Sequence, residues 1–222
     1  MNTLQHTVHP ALRLFPLKLL RIFLFASLPP VWSANLIVNG GFESNSASST
    51  RYNLTNAELS AMVDGVTAFG SASEIDIITT GNVAYPDPLE GDWSLALNNY
   101  LGLSIDAFSF SLLSPLAVGF QYQLDFRAVC GTPNPATVLV GISNSATDFG
   151  QQIYATPILE ETPGLYSFTF VATAPASYLT VMPDLHVVIV DDFLLRGVPE
   201  PSSYALMGIL VFAAAMQRRR PA

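Results

Sequence analysis

The chain has very little cysteine, histidine and lysine. Its 222 residues include one cysteine, Cys130, so an intramolecular disulfide is excluded. A catalytic thiol needs a histidine partner, and beyond the first ten positions His186 is the one histidine of the sequence. These absences argue against thiol catalysis. They leave the fold dependent on its hydrophobic core or on a bound metal.

Basic residues are scarce in the middle of the chain. Residues 34–197 carry sixteen acidic side chains against three arginines, a balance of −13, although the formal net charge of the whole chain is −8. A surface of this sign repels phosphate backbones, which argues against nucleic-acid binding as a function. It suits divalent cations, or solubility outside a cell.

Motifs of common hydrolases and nucleotide-binding enzymes are also missing. The sequence has no Gly-x-Ser-x-Gly, no His-Glu-x-x-His and no glycine-rich phosphate loop. Neighbouring carboxylates occur at Glu160 with Glu161 and at Glu90 with Asp92, but glycoside hydrolysis needs a fixed separation that sequence does not give. We therefore predict that the protein is not an enzyme. A polysaccharide hydrolase is the less favoured alternative.

The first 33 residues have the pattern of a signal peptide. Three basic residues precede the apolar run 22–28, and two prolines end that run before small residues suited to cleavage after Ser33. The mature chain is therefore expected to begin at Ala34.

The last 25 residues combine three features in a fixed order. Pro199, Glu200 and Pro201 come first, and the prolines interrupt regular structure because each fixes φ and lacks an N–H donor. The uncharged segment 202–216 follows, short against the roughly 20 residues that span a bilayer. We predict that it forms a single C-terminal transmembrane helix. The positive-inside rule places the arginines behind it on the cytoplasmic side: Arg218, Arg219 and Arg220.

This tail resembles the PEP-CTERM sorting signal of Gram-negative, exopolysaccharide-producing bacteria. The resemblance implies that residues 198–222 are a sorting signal recognised by an exosortase-type membrane protease. It also implies export through the inner membrane to the cell envelope, the cell surface or an extracellular matrix. A stable tail anchor is the alternative.

Residues 34–197 show the alternation of β-strands. The clearest case is 116–128, where apolar residues from Val118 and Phe120 onward alternate with polar ones. Proline- and glycine-rich turns separate this run from shorter ones. The one helical signal is the capping-box spacing of Thr55 and Glu58. We predict an all-β fold, an antiparallel β-sandwich.

Four stretches of this domain resemble strands of galactose-binding-like jelly rolls, the fold of several carbohydrate-binding module families. They are residues 35–43, 91–97, 115–126 and 188–195. The resemblance implies one jelly-roll β-sandwich over residues 34–197.

A calcium site is expected where the first and last strands of such a sandwich meet. Carboxylates and carbonyl oxygens are the donors that Ca²⁺ takes. The resembled modules hold a structural calcium at this place, which implies Glu43, Asp192 and Glu90 as ligands. Adjacent strand residues face opposite sides, so only one of Asp191 and Asp192 is expected to bind without a bulge. Solvated strand ends are the alternative.

Exopolysaccharide is the predicted partner of the domain. Jelly-roll modules hold glycans with exposed aromatic rings and polar side chains, and Trp93 and Tyr100 are candidates near loops. Packing in the core is the alternative for each aromatic residue. A polar strand face, which either lines a glycan groove or faces water, comprises Gln121, Gln123, Asp125 and Arg127. A structural or adhesive matrix protein without a glycan site is the alternative function.

Overall fold

The structure, a computed structural model, describes residues 34–132 and 134–198. The predicted signal peptide and the sorting residues from Pro199 onward lie outside the described residues. Within the described ranges the chain forms one helix and ten strands: β1 (Arg51–Leu54), α1 (Asn56–Met62), β2 (Val66–Gly70), β3 (Ile75–Thr79), β4 (Trp93–Asn99), β5 (Asp106–Leu116), β6 (Gln121–Cys130), β7 (Thr137–Ser143), β8 (Gln151–Ala155), β9 (Gly164–Val171) and β10 (Ala176–Gly197).

Two antiparallel sheets share the longest strand, β10, which runs over 22 residues. The first half of β10 pairs with β5 and β7 in a five-stranded sheet of order β2-β5-β10-β7-β8. The second half pairs with β4 and β6 in a six-stranded sheet of order β1-β3-β4-β10-β6-β9. The predicted all-β, antiparallel sandwich is confirmed.

Aromatic side chains from both ends of the domain fill the centre of the core. Phe42, which follows the first extended segment, stacks on Phe110 with ring centroids 5.6 Å apart. Phe193, near the end of the last strand, stacks on Phe126 at 5.1 Å. Truncating a buried phenylalanine to alanine typically costs about 3–5 kcal/mol. The first and last segments are therefore held together by the core itself.

The helix α1 begins with the predicted capping box. The Thr55 hydroxyl accepts from the N–H of Glu58 at 3.3 Å, and the Glu58 carboxylate accepts from the N–H of Thr55 at 2.9 Å. The predicted short helix is confirmed, and Leu59 buries its apolar side. In the described part of the chain, no helix is long and apolar enough to cross a membrane.

The prediction of one strand over 116–128 is wrong at its start. β5 ends at Leu116 and β6 begins at Gln121, and a tight turn lies between them. Gly119 adopts φ +83° there, a left-handed conformation that reverses the chain. The alternation of apolar and polar residues continues unbroken through this turn, so the sequence pattern does not reveal that the chain reverses there. Val118 and Phe120 are consequently 54% and 55% exposed instead of buried.

Candidate functional site

The loop of residues 39–44 is closed by Asn39. Gly40 lets this loop pack against the last strand, β10. The Asn39 amide donates to the carbonyl oxygen of Ser44 at 2.9 Å and accepts from its N–H at 3.0 Å. A Cβ on Gly40 would lie 1.9 Å from the carbonyl oxygen of Phe193, so only glycine fits. This packing directs Glu43 toward the loop before β4.

The Glu43 carboxylate ties these two loops together. Its Oε1 accepts from the N–H of Asp92 at 2.9 Å and from the N–H of Trp93 at 3.1 Å. Gly91 beside it has φ +61°, and a Cβ on Gly91 would lie 2.3 Å from the same oxygen. Hydrogen bonds to a charged group contribute about 1.5–3 kcal/mol each. Glu43 therefore fixes the start of β4.

Asp191 is a carboxylate buried in the last strand, with no exposed surface. Its Oδ2 accepts from the N–H of Glu90 at 2.9 Å, and its Oδ1 accepts from the N–H of Asp192 at 2.7 Å. Burial raises the pKa of Asp191 to about 7; the two N–H donors oppose this shift, and the charges of Asp192 and Glu43 add to it. A cation near this carboxylate would favour its charged form.

Glu43 and Asp191 approach the same point. A Cβ on Gly41 would lie 3.8 Å from Asp191 Oδ1 and 3.8 Å from Glu43 Cγ. Both side chains thus lie beside the glycine-rich loop, and both carboxylates accept from main-chain N–H groups of residues 90–93. The carbonyl oxygens of the glycine-rich loop add further possible donors.

A β-bulge sets the direction of the adjacent aspartates. Asp191 pairs with Arg127 and Leu194 pairs with Asp125, so three steps along β10 match two steps along β6. Asp192 lies in this bulge with φ +52°. Asp191 is turned under the loop before β4, whereas the Asp192 side chain stays 47% exposed.

The other two predicted ligands lie beside an arginine. Arg127 Nη2 is 3.3 Å from Glu90 Oε2, and Arg127 Nε is 3.6 Å from Asp192 Oδ2. Among the described residues, no group of three or more histidine, cysteine or acidic side chains is arranged to hold a metal ion. The ligand set Glu43, Asp192 and Glu90 therefore stays a prediction.

Asp191 lies next to the predicted ligand Asp192 and was not itself predicted as a ligand. A signal was present, because a charged residue directly follows the apolar run 187–190 of β10. Nothing in the sequence reveals the bulge that turns Asp191 inward and Asp192 outward.

The polar face of β6 forms a hydrogen-bonded network. Gln123 donates to Asp125 at 3.0 Å and to the Ser167 hydroxyl at 3.2 Å, and Arg196 donates to Asp125. Burial raises the pKa of Asp125, but the bonds from Ser167, Gln123 and Arg196 outweigh it and lower the pKa below its ordinary value. These groups satisfy one another, which makes the face less suited to holding sugar hydroxyls.

Trp93 and Tyr100 lie at opposite ends of β4. Trp93 begins the strand and is partly buried against the core. Tyr100 directly follows the strand and is 63% exposed. A strand of this length separates them by roughly 20 Å. The two predicted aromatic residues therefore do not form one stacking surface.

The centre of the outer face of the five-stranded sheet is uncharged. Leu179 and Val181 of β10 are buried in the core, so Tyr178 and Met182 face outward, partly exposed. The next charged residue along β10 is Asp184. In the part of the chain that the structure describes, the same alternation directs further uncharged residues of β2, β5, β7 and β10 to this face. They are Thr67, Phe69, Ala107, Ser109, Ser111, Leu139, Gly141, Ser143 and Thr180. We call this set the uncharged outer face.

The loop between β7 and β8 crosses the uncharged outer face. The Ser109 hydroxyl donates to the carbonyl oxygen of Ala146 at 2.8 Å, and the Thr180 hydroxyl donates to that of Phe149 at 2.7 Å. A Cβ on Gly141 would lie 2.6 Å from the Phe149 carbonyl oxygen, so a glycine is needed below the loop. Thr180 lies under it, between Tyr178 and Met182 along the strand.

A pocket of about 340 Å³ lies near the end of β6, lined by Cys130, Thr132, Asn134 and Pro135 and by residues 158–162. The Cys130 thiol in it is hydrogen-bonded to the carbonyl oxygens of Thr132 and Asn134. No histidine is among the described residues that line it. Glu160 and Glu161 also line it, but its described lining holds no imidazole of the kind that forms a thiol–histidine pair.

The comparisons with known proteins give one sequence match and several distant structural ones. The model of the PEP-CTERM protein-sorting motif matches residues 197–220. No curated protein matches the chain.

The solved structures that resemble this chain share little sequence with it. The CBM22-1 xylan-binding domain of Paenibacillus barcinonensis Xyn10C is 13% identical, with 75% of this chain and 97% of that one covered and a TM-score of 0.43. The K2 cleaved adhesin domain of Lys-gingipain is 11% identical, with coverages of 73% and 97% and a TM-score of 0.47.

The enzymatically active domain of bacteriophage CBA120 tailspike protein 4 is 15% identical, with a TM-score of 0.41. The match covers 74% of this chain but 21% of that one, so the chain spans about a fifth of its length. The chain thus joins an antiparallel β-sandwich to a PEP-CTERM protein-sorting motif at its C-terminal end.

Proposed function

We propose that this protein is exported by a Gram-negative bacterium, processed at its tail by an exosortase-type membrane protease, and left at the cell surface or in the extracellular matrix. The match of residues 197–220 to the sorting motif supports this address. The strongly acidic composition of residues 34–197 fits a domain that stays soluble outside the cell.

We further propose that the sandwich, a jelly roll of the galactose-binding type, associates with exopolysaccharide and catalyses no reaction. The observation that carries this proposal is the uncharged outer face. In a domain with a balance of −13, the strands of one sheet face present Tyr178, Thr67 and Ser111 without a charged side chain at the centre. The hydroxyls of Ser109 and Thr180 are buried and hold the β7–β8 loop, whose exposed Asp148 is the acidic group nearest to this surface along that loop. An aromatic ring stacks on the apolar face of a sugar, and neighbouring hydroxyls exchange hydrogen bonds with it.

Calcium is proposed as a structural ion at Glu43 and Asp191. These two carboxylates converge, Asp191 is fully buried, and loop carbonyl oxygens supply donors of the kind that calcium prefers. The ion would neutralise both carboxylates and hold the first loop to the last strand. Glu90 and Asp192 complete the ligand set once their ion pairs with Arg127 are broken.

The test is co-sedimentation of the protein released by producing cells with their own exopolysaccharide, in calcium and in EDTA. Saturable binding that Tyr178→Ala weakens at least tenfold supports the proposal. Tyr52→Ala is the matched control, because Tyr52 is an exposed tyrosine of β1 in the other sheet. Trp93→Ala and Tyr100→Ala test the two aromatic residues that the sequence suggested.

Binding that is linear in polysaccharide, or that no variant changes, would contradict a specific glycan site. The function would then be that of a structural or adhesive matrix protein whose partners are other proteins. Release of soluble sugars from the polymer would instead reveal a hydrolase.

A further inference from the structure

The turn between β5 and β6 presents apolar side chains to solvent at one end of the sandwich. Val118 and Phe120 are 54% and 55% exposed, and Val171, at the end of the neighbouring strand β9, is 52% exposed. Val171 pairs with Gln121, the residue after Phe120. We call these three residues the apolar tip.

The apolar tip is held by main-chain hydrogen bonds. The N–H of Gly119 donates to the carbonyl oxygen of Ala172 at 2.8 Å, and the N–H of Ala172 donates to that of Phe120 at 3.1 Å. The N–H of Ala117 donates to the Tyr122 hydroxyl at 2.8 Å. Exposed apolar side chains on such a fixed turn are preorganised for contact with an apolar partner.

The chain leaves the sandwich at the same place. The N–H of Val198 donates to the carbonyl oxygen of Gln121 at 2.8 Å, directly beside Phe120. The apolar tail segment begins at Ser202, and the four steps from Val198 to Ser202 span at most roughly 14 Å when fully extended. A membrane that the tail enters is therefore close to the apolar tip.

Charge is absent from the segments that form this end. The sequence has no charged residue between Asp106 and Asp125, and none between Glu161 and Asp184. The turn and the neighbouring end of β9 therefore carry no acidic side chain of their own that would repel an anionic lipid surface. An exposed apolar cluster without such charges fits the interface of a bilayer.

We propose that the apolar tip inserts into the outer surface of the inner membrane while the tail is still attached. This contact places the Pro199-Glu200-Pro201 segment at the membrane surface, where a membrane protease cleaves. It is lost on cleavage, because three apolar side chains alone give a weak membrane affinity. The proposal rests on the proposed membrane entry of the tail.

The experiment places an environment-sensitive fluorophore on single cysteines of the uncleaved full chain, with Cys130 replaced by alanine. The chain is synthesised onto vesicles of phosphatidylethanolamine and phosphatidylglycerol. Phe120→Cys reports the apolar tip, and Leu210→Cys reports the tail. Leu103→Cys is the control, because Leu103 is 81% exposed in the turn after β4. That turn lies beside His186, eleven residues before Gly197 on β10 and thus at the far end of the sheet.

We expect emission at shorter wavelength, quenched by brominated lipid, at positions 120 and 210 and not at 103. If position 210 reports lipid but position 120 is as exposed to water as position 103, this proposal is overturned and the membrane entry of the tail stands. A lipid signal at neither position would overturn the membrane entry of the tail as well. A signal at 120 that rises with protein concentration and not with lipid would instead identify a second copy of the chain as the occupant.

A functional readout uses membranes that contain the protease. V118S/F120S should slow the release of the mature domain several-fold, because the sorting segment is then less firmly held at the membrane. The matched double variant L103S/L165S also removes two exposed apolar side chains but should leave the rate unchanged. Equal rates for both double variants would contradict a role of the apolar tip in processing.

Discussion

Glu43 and Trp93 are joined by a hydrogen bond in which the Trp93 N–H donates to the Glu43 carboxylate at 3.1 Å. Glu43, which was predicted to bind a metal, thus holds the start of β4. Trp93, in that strand, was predicted to bind sugar. The bond connects the first loop of the domain to β4 across 50 positions of sequence. Its loss should affect stability before it affects any ligand.

Gly91→Ala tests how tightly this carboxylate is held. The added Cβ meets Glu43 Oε1 at 2.3 Å and must also adopt φ +61°. A positive φ costs an alanine roughly 1–2 kcal/mol, and displacing the carboxylate also weakens its two N–H bonds. Because the Glu43 carboxylate is exposed and can shift, we expect the free energy of unfolding to fall by about 2–3 kcal/mol, measured by urea denaturation.

Gly81→Ala is the matched control for this variant. Gly81 also has a positive φ, +80°, but no atom lies within 4 Å of its would-be Cβ. Only the backbone cost of roughly 1–2 kcal/mol should therefore appear. Equal losses in the two variants would show that the Glu43 contact contributes nothing.

Calcium should stabilise the domain through Glu43 and Asp191. A ligand at a hundredfold excess over its Kd stabilises a protein by about 2.7 kcal/mol, which raises the Tm of a domain of this size by roughly 5–10 °C. We expect Asp191→Asn to abolish this rise, measured as the difference in Tm between calcium and EDTA. Asp192→Asn should keep most of it.

The opposite result, a calcium-induced rise that survives Asp191→Asn and disappears in Asp192→Asn, would restore the ligand set predicted from sequence. An unchanged Tm in calcium and EDTA for the unaltered protein would remove calcium from the account.

The bond between Asp125 and Arg196 should make stability depend on pH. The pKa of Asp125 is lowered in the folded state, so its contribution is present above its ordinary value of 3.8 and is lost as pH falls through the folded value. Asp125→Asn should cost about 1–2 kcal/mol at pH 7. The difference from the unaltered protein should begin to shrink as pH falls below 3.8, measured by urea denaturation at pH 7 and at pH 3.

Glu161→Gln serves as the control for this titration, because Glu161 is an exposed acidic residue in a loop. It should leave the free energy of unfolding within ~0.5 kcal/mol at both pH values. A difference for Asp125→Asn that stays constant from pH 7 to pH 3 would contradict the assignment of the pH effect to this carboxylate.

The sequence predicted the sandwich well because its signals are local. The capping box of Thr55 and Glu58 and the apolar alternation of β9 depend on near neighbours along the chain, and both appear in the structure. The alternation misled at Val118 and Phe120, because the turn at Gly119 keeps the same spacing of apolar residues.

The site was only partly predictable because its geometry depends on long-range pairing. The convergence of Glu43 with the last strand followed from the expected fold. The choice between Asp191 and Asp192 depends on a bulge in the pairing of β10 with β6, which no local pattern marks. The uncharged outer face could not be predicted from a local pattern, because it joins residues from four strands.

The most direct test of the account is co-sedimentation of the released protein and its Tyr178→Ala variant with the exopolysaccharide of the producing cells. The account predicts saturable binding by the unaltered protein and at least tenfold weaker binding by the variant, with Tyr52→Ala unaffected. Absence of saturable binding, or equal binding by all three proteins, would contradict the claim that the uncharged outer face holds a glycan.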